Sequence, residues 1–176
     1  RVSGGDWSRK KDSDDRTYFK TTLNLEAGDP FWTRNTPERF EVKAGATEDT
    51  LLPKLARLRV GSTAITGVRE VFNIGDTYAW PIFTIRGPFT GFTLVGAKGE
   101  TVSWTGTAGP GSSAIVDMRN STVETPGGSN LYGGLAPAPH FWSIEPGTSS
   151  VSVIMEGMGE TSSLSSQWWP RRWAVV

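Results

Sequence analysis

The run Glu100-Thr101-Val102-Ser103-Trp104-Thr105 decides the fold class. Val102 and Trp104 alternate with Thr and Ser, and a period of two places the apolar pair on one face of a strand and the polar residues on the other. The same period returns at Val151, Val153 and Met155. The two sets are expected to be core positions of two facing sheets.

Working outward, further strands are expected over residues 68–72, 80–85, 92–95, 113–118, 122–125, 130–135, 149–156 and 162–169. Gly109-Pro110-Gly111, Pro126-Gly127-Gly128 and Glu145-Pro146-Gly147 separate some of them and suit turn positions that need a fixed or positive φ. Short strands with glycine-rich connections argue for an all-β sandwich or barrel, and the two facing sets of core positions make an antiparallel β-sandwich the reading adopted. Composition agrees: 21 Gly and 11 Pro supply turns, and eight Trp and eight Phe suit pleated, half-buried surfaces.

Charge and cysteine content remove whole classes of function. With 18 basic and 18 acidic residues the formal net charge is zero, so no long-range field favours nucleic acid or an anionic membrane. No cysteine is present, which removes disulfides, thiolate metal sites and cysteine nucleophiles together. No apolar run approaches the ~20 residues that span a bilayer. The chain opens on Arg1-Val2-Ser3-Gly4-Gly5-Asp6, without Met or a signal pattern, and reads as a fragment or processed product.

Organisation changes along the chain. Residues 1–70 hold 24 charged residues and 6 Gly, whereas residues 71–176 hold 12 and 15. The mixed-sign run over 9–16 reads as a solvated loop or hairpin tip. Residues 17–27 alternate, with Phe19, Leu23, Leu25 and Ala27 on one face, as a half-buried strand does. Gly28-Asp29-Pro30 ends it as a turn, and a second alternating strand covers 39–43. Residues 51–58 could form a helical stripe, but Pro53 interrupts it, and extended chain is the reading adopted.

Chemistry-bearing residues are sparse. His140 is the only histidine, so a Ser-His-Asp arrangement would have to use it and a site of several imidazoles cannot exist. Its place in Ala138-Pro139-His140-Phe141-Trp142 suits a structural or surface residue. Asp76, Glu100, Asp117, Glu124 and Glu156 are scattered singly, as backbone caps or solvent-facing groups, with no glycosidase pair among them. Asp12-Ser13-Asp14-Asp15 lacks the spacing of a calcium loop, and neither Gly127-Gly128 nor Gly133-Gly134 is followed by the Lys-Ser/Thr of a phosphate loop. No catalytic residue, cofactor or metal is therefore expected, and the chain reads as non-enzymatic.

The tryptophans carry the remaining possibility. Trp32, Trp80, Trp104, Trp142, Trp168, Trp169 and Trp173 could form a stacking platform for sugar rings, or serve as core and interface anchors. In Gln167-Trp168-Trp169-Pro170-Arg171-Arg172-Trp173 the adjacent indoles point to opposite faces of a strand, so at most one is in the core. Trp168, Trp169 and Trp173 are the candidate ligand or interface aromatics.

Several motifs occur in an order that resembles a known family. Asn73-Ile74-Gly75-Asp76 precedes Trp80-Pro81-Ile82-Phe83-Thr84-Ile85-Arg86-Gly87-Pro88. Then come Val102-Ser103-Trp104-Thr105-Gly106-Thr107, Ile115-Val116-Asp117-Met118-Arg119 and Gly128-Ser129-Asn130-Leu131-Tyr132-Gly133-Gly134-Leu135. Phe141-Trp142-Ser143-Ile144-Glu145-Pro146-Gly147 and the closing Trp169-Pro170-Arg171-Arg172-Trp173 complete the series, with Asp29-Pro30-Phe31-Trp32 upstream. Together they resemble the distal tail protein family of long, non-contractile-tailed bacteriophages, over about residues 20–173.

The resemblance implies a virion structural protein of the tail tip, assembled in the host cytoplasm. In that family an N-terminal domain forms a ring, commonly a hexamer, between tail tube and adsorption apparatus, and a C-terminal galectin-like, jelly-roll-like sandwich decorates it. This chain would be mainly the C-terminal module: residues 1–28 as the end of a ring domain or a linking strand, and residues 29–176 as the sandwich. The implied partners are other tail proteins. The family has no catalytic residues to carry over. The alternative is a carbohydrate-binding module that recognises host cell-wall glycans.

Overall fold

The structure, a computed structural model, describes residues 2–11, 14–25, 29–43 and 64–173. The chain divides into two compact units, Arg1–Trp32 and Thr33–Val176.

In the first unit, β1 (Val2–Lys11) and β2 (Thr17–Leu25) pair antiparallel, with an irregularity between Val2 and Gly4. Residues 9–11 of the charged run end β1 and residues 14–16 lead into β2; the Lys11 ammonium donates to the Asp15 carboxylate, and Asp15 takes a positive φ of 59°. The expected half-buried face is corrected here. Phe19 and Leu23 are 60% and 63% exposed. Alternation fixes which side chains share a face of a strand, but burial needs a second layer, and a two-stranded hairpin has none of its own. Ala27 lies outside the described residues.

The second unit contains β3 (Trp32–Thr33), which begins on the last residue of the first, then β4 (Glu38–Lys43), β5 (Ala64–Asn73), β6 (Ile82–Arg86), β7 (Phe89–Val95) and β8 (Thr101–Ala108). It continues with β9 (Ser113–Asp117), β10 (Thr122–Glu124), a 3-10 turn (Tyr132–Gly134), β11 (Gly147–Glu156), β12 (Ser163–Trp168) and β13 (Arg171–Arg172). Besides a separate two-stranded sheet of β13 and β3, two large sheets result, a five-stranded one in the order β10-β9-β6-β12-β4 and a four-stranded one in the order β5-β11-β7-β8. Every pairing within them is antiparallel. The fold is an all-β sandwich.

Cross-strand register builds the core. In the five-stranded sheet Ala114, Ile85, Leu164 and Val42 form one inward row, and Val116, Phe83, Ser166 and Phe40 the next. The four-stranded sheet answers with Phe92, Leu94, Val102, Trp104, Val151, Val153 and Met155. Trp104 stacks on Phe92 with ring centroids 5.6 Å apart and planes 12° apart, while Phe89 meets Trp104 edge-on at 5.7 Å. Such aromatic pairs contribute about 0.5–1.5 kcal/mol beyond the area they bury.

Two expectations change. The Val102/Trp104 set and the Val151/Val153/Met155 set are both core, but they lie on one sheet with β7 between them, because β11 and β8 both pair with β7. Alternation alone does not say which sheet a strand joins. The strand expected over 130–135 is a 3-10 turn flanked by single bridges, Glu124 to Asn130 and Trp104 to Leu135, so local glycine geometry overrides the apolar pattern. Residues 51–58 lie outside the described residues. Positive φ occurs at Gly111, Gly128 and Gly147, the last glycine of each expected turn. Among the described residues no helix is long and apolar enough to cross a membrane.

Candidate functional site

Two short runs far apart in sequence, Asn73-Ile74-Gly75-Asp76 and Pro170-Arg171-Arg172-Trp173, close on one another. Asn73 is 1% exposed; its Nδ2 donates to Thr77 O at 2.9 Å and Ile144 O at 3.0 Å, and its Oδ1 accepts from Gly75 N at 2.9 Å. That amide ties β5, the following turn and the segment before β11. Gly75 is required by proximity: a Cβ there would stand 2.5 Å from Arg171 O and 2.8 Å from Arg171 N. The close approach lets Asp76 N donate to Arg171 O at 2.9 Å, and Arg34 N donates to Pro170 O at 3.0 Å from the other side.

Next to this clasp is an open cleft of about 310 Å³, lined by Thr33, Trp80, Ile82, Asp117, Arg119, Trp169 and Arg171. Strand parity explains why these residues meet. Gln167, Ile82 and Asp117 form one cross-strand row on the outer face of the five-stranded sheet. Trp169, Trp80 and Arg119 lie two residues beyond that row on their own segments, so the cleft caps the ends of β12, β6 and β9.

The walls of the cleft are held by neighbours. Tyr78 meets Trp80 edge-on at 5.6 Å and 81°. The Arg171 guanidinium lies 5.2 Å from the centre of the Tyr78 ring, and its Nη1 donates to Tyr78 O at 3.4 Å. Asp117 Oδ1 accepts from Arg119 N at 2.8 Å and Asn120 N at 3.1 Å, and its Oδ2 accepts from Asn120 Nδ2 at 2.7 Å. This carboxylate braces a turn, with three of its roughly four acceptor sites occupied.

The three tryptophans singled out from sequence separate in space. Trp168 is 4% exposed and packs against Phe40 at 6.3 Å, so it belongs to the core and offers no platform. Trp169, on the opposite face, lines the cleft. Trp173 is 62% exposed, with its amide directed to Asp76 Oδ2 at 3.4 Å. Trp104 and Trp142 are core residues. His140 is exposed, and its backbone N–H bonds Thr101 O at 2.9 Å. Glu100 Oε2 accepts from Lys98 N at 2.9 Å, in a tight turn.

No protein-family model and no curated protein matches the chain. Its fold is similar to that of the crystal structure of SPP1 Dit, described as a paradigm of the hub adsorption apparatus in phages that infect Gram-positive bacteria. The TM-score is 0.60 at 14% identity, over 94% of this chain and 57% of that one. The chain thus spans little more than half the length of its structural neighbour, and at this identity the likeness is one of fold.

Sequence reading did not assemble the cleft. Trp80, Asp117, Arg119 and Arg171 all stood within the family-like motifs, but no pattern linked them. The usable signal was parity, because Trp80, Asp117 and Arg119 are outward residues at or just beyond a strand end once the order β9-β6-β12 is known, whereas the buried Arg171 comes from β13.

Proposed function

We propose that the chain is a non-enzymatic structural component of a bacteriophage tail tip, a distal or minor tail protein of a long, non-contractile tail. The observation that carries this reading is the likeness of fold to SPP1 Dit over 94% of the chain. The ordered motifs from Asn73 to Trp173 support it independently of backbone shape.

The sandwich, of galectin-like type on this reading, acts through protein–protein contacts with tail-tube and hub neighbours, as part of a hexameric ring in the full-length protein. Its surface suits that role: Phe72, Ile74, Tyr78 and Trp173 are 58%, 42%, 41% and 62% exposed around the clasp. Aromatic residues are enriched at the centres of protein interfaces. The test is immuno-electron microscopy of virions with antibodies raised against the folded chain. Gold at the distal end of the tail is expected; gold on the head or along the tube, or none on intact virions, overturns the proposal.

A further inference from the structure

We propose that the cleft between Trp80 and Trp169 is a binding site for an acidic pyranose, a sugar ring carrying a carboxylate. A pyranose has an apolar C–H face and a polar rim. The cleft offers the complementary arrangement, with two half-buried indoles and Ile82 as apolar surface and charged groups beside them. Its volume of about 310 Å³ is at the small end of ligand sites and suits one or two sugar rings.

Charge selects the kind of sugar. Arg119 and Arg171 stand against Asp117, a net of one positive charge, and Asp117 already accepts three hydrogen bonds within its own turn. The charged lining of the cleft is therefore positive on balance. A guanidinium fork matches a carboxylate in two parallel hydrogen bonds. Arg171 is only 6% exposed and is held over Tyr78, so its charge is pre-positioned. Arg119 is exposed at the cleft.

A peptide is the less fitting occupant. Peptides that add to a sheet need an open edge. The cleft caps β9, β6 and β12, which are interior strands between the edge strands β10 and β4. The inference does not rest on the tail-tip reading; virion labelling and saccharide binding can fail separately.

The test titrates the full chain with trimers of glucuronate, galacturonate and mannuronate and with their methyl esters, followed by tryptophan fluorescence and calorimetry. Saturable binding of at least one acid trimer is expected, about tenfold tighter than its neutral ester. Trp169→Ala should weaken that binding by about tenfold or more. Arg119→Ala, which changes an exposed side chain and leaves the fold intact, should bind acid and ester alike. Trp173→Ala should match the parent chain. Three results overturn the proposal: no saturable response to any acid trimer, esters bound as tightly as acids, or binding unchanged in both Trp169→Ala and Arg119→Ala.

Discussion

Asn73 carries more of the architecture than its size suggests. Its amide is buried, donates twice and accepts once, and all three partners are backbone groups, two in the turn after β5 and one in the segment before β11. Asn73→Asp replaces the donating NH₂ with an oxygen facing two carbonyl oxygens, and leaving buried groups unsatisfied beside a charge costs about 3 kcal/mol or more. Burial and those carbonyls favour the protonated acid in the folded state, so its folded pKa lies above the unfolded value of about 3.9. The folded variant then holds its proton more tightly than the unfolded one. Its deficit is smallest below about pH 4 and grows as pH rises through the folded pKa. Urea unfolding of both chains at acid and neutral pH checks the sign. The exposed Lys98–Glu145 pair is a contrast: hydrogen bonding to Glu145 raises the Lys98 pKa, but solvent screens the pair, and little stability depends on it.

At the scale of elements, the 3-10 turn is a wedge against β8. Trp104 Nε1 donates to Leu131 O at 2.8 Å, and Ala136 N donates to Ser103 O at 2.9 Å. The turn reaches the indole because Gly134 has no side chain: a Cβ there would stand 2.4 Å from both Thr105 O and Trp104 Nε1. Gly134→Ala should therefore destabilise by about 1–3 kcal/mol, as overpacking does, with the near-ultraviolet tryptophan signal altered. Denaturant titration followed by circular dichroism measures both. Most strands of the sandwich were legible in the sequence because one buried face imposes a period of two; Val102/Trp104 and Leu164/Ser166/Trp168 are clear cases. The wedge was not legible, since Leu131 and Leu135 mimic a strand while the glycines between them set the geometry. The cleft was hidden for a different reason, in that its residues meet only through a strand order no local pattern encodes.

For the whole molecule, the division after Trp32 has a direct consequence for stability. Among the described residues every buried side chain lies between Val42 and Arg171. A chain beginning at Asp29 should therefore melt within a few degrees of the full chain, since about 1 kcal/mol shifts a domain of this size by roughly 2–4 °C. Differential scanning calorimetry of the two decides it, and a large drop overturns the expectation. The position of β12 has a further consequence, during synthesis. It is made after both β4 and β6, yet it sits between them. About 120 residues separate Lys43, the end of β4, from Ser163, the start of β12. At about 5–20 residues per second the ribosome takes roughly 6–24 s to cover that distance. Throughout that interval β4 has an open edge where β12 will lie, and β6 has one from its own synthesis onward, so nascent chains on one polysome are exposed to mispairing with their neighbours until β12 emerges and closes the sheet.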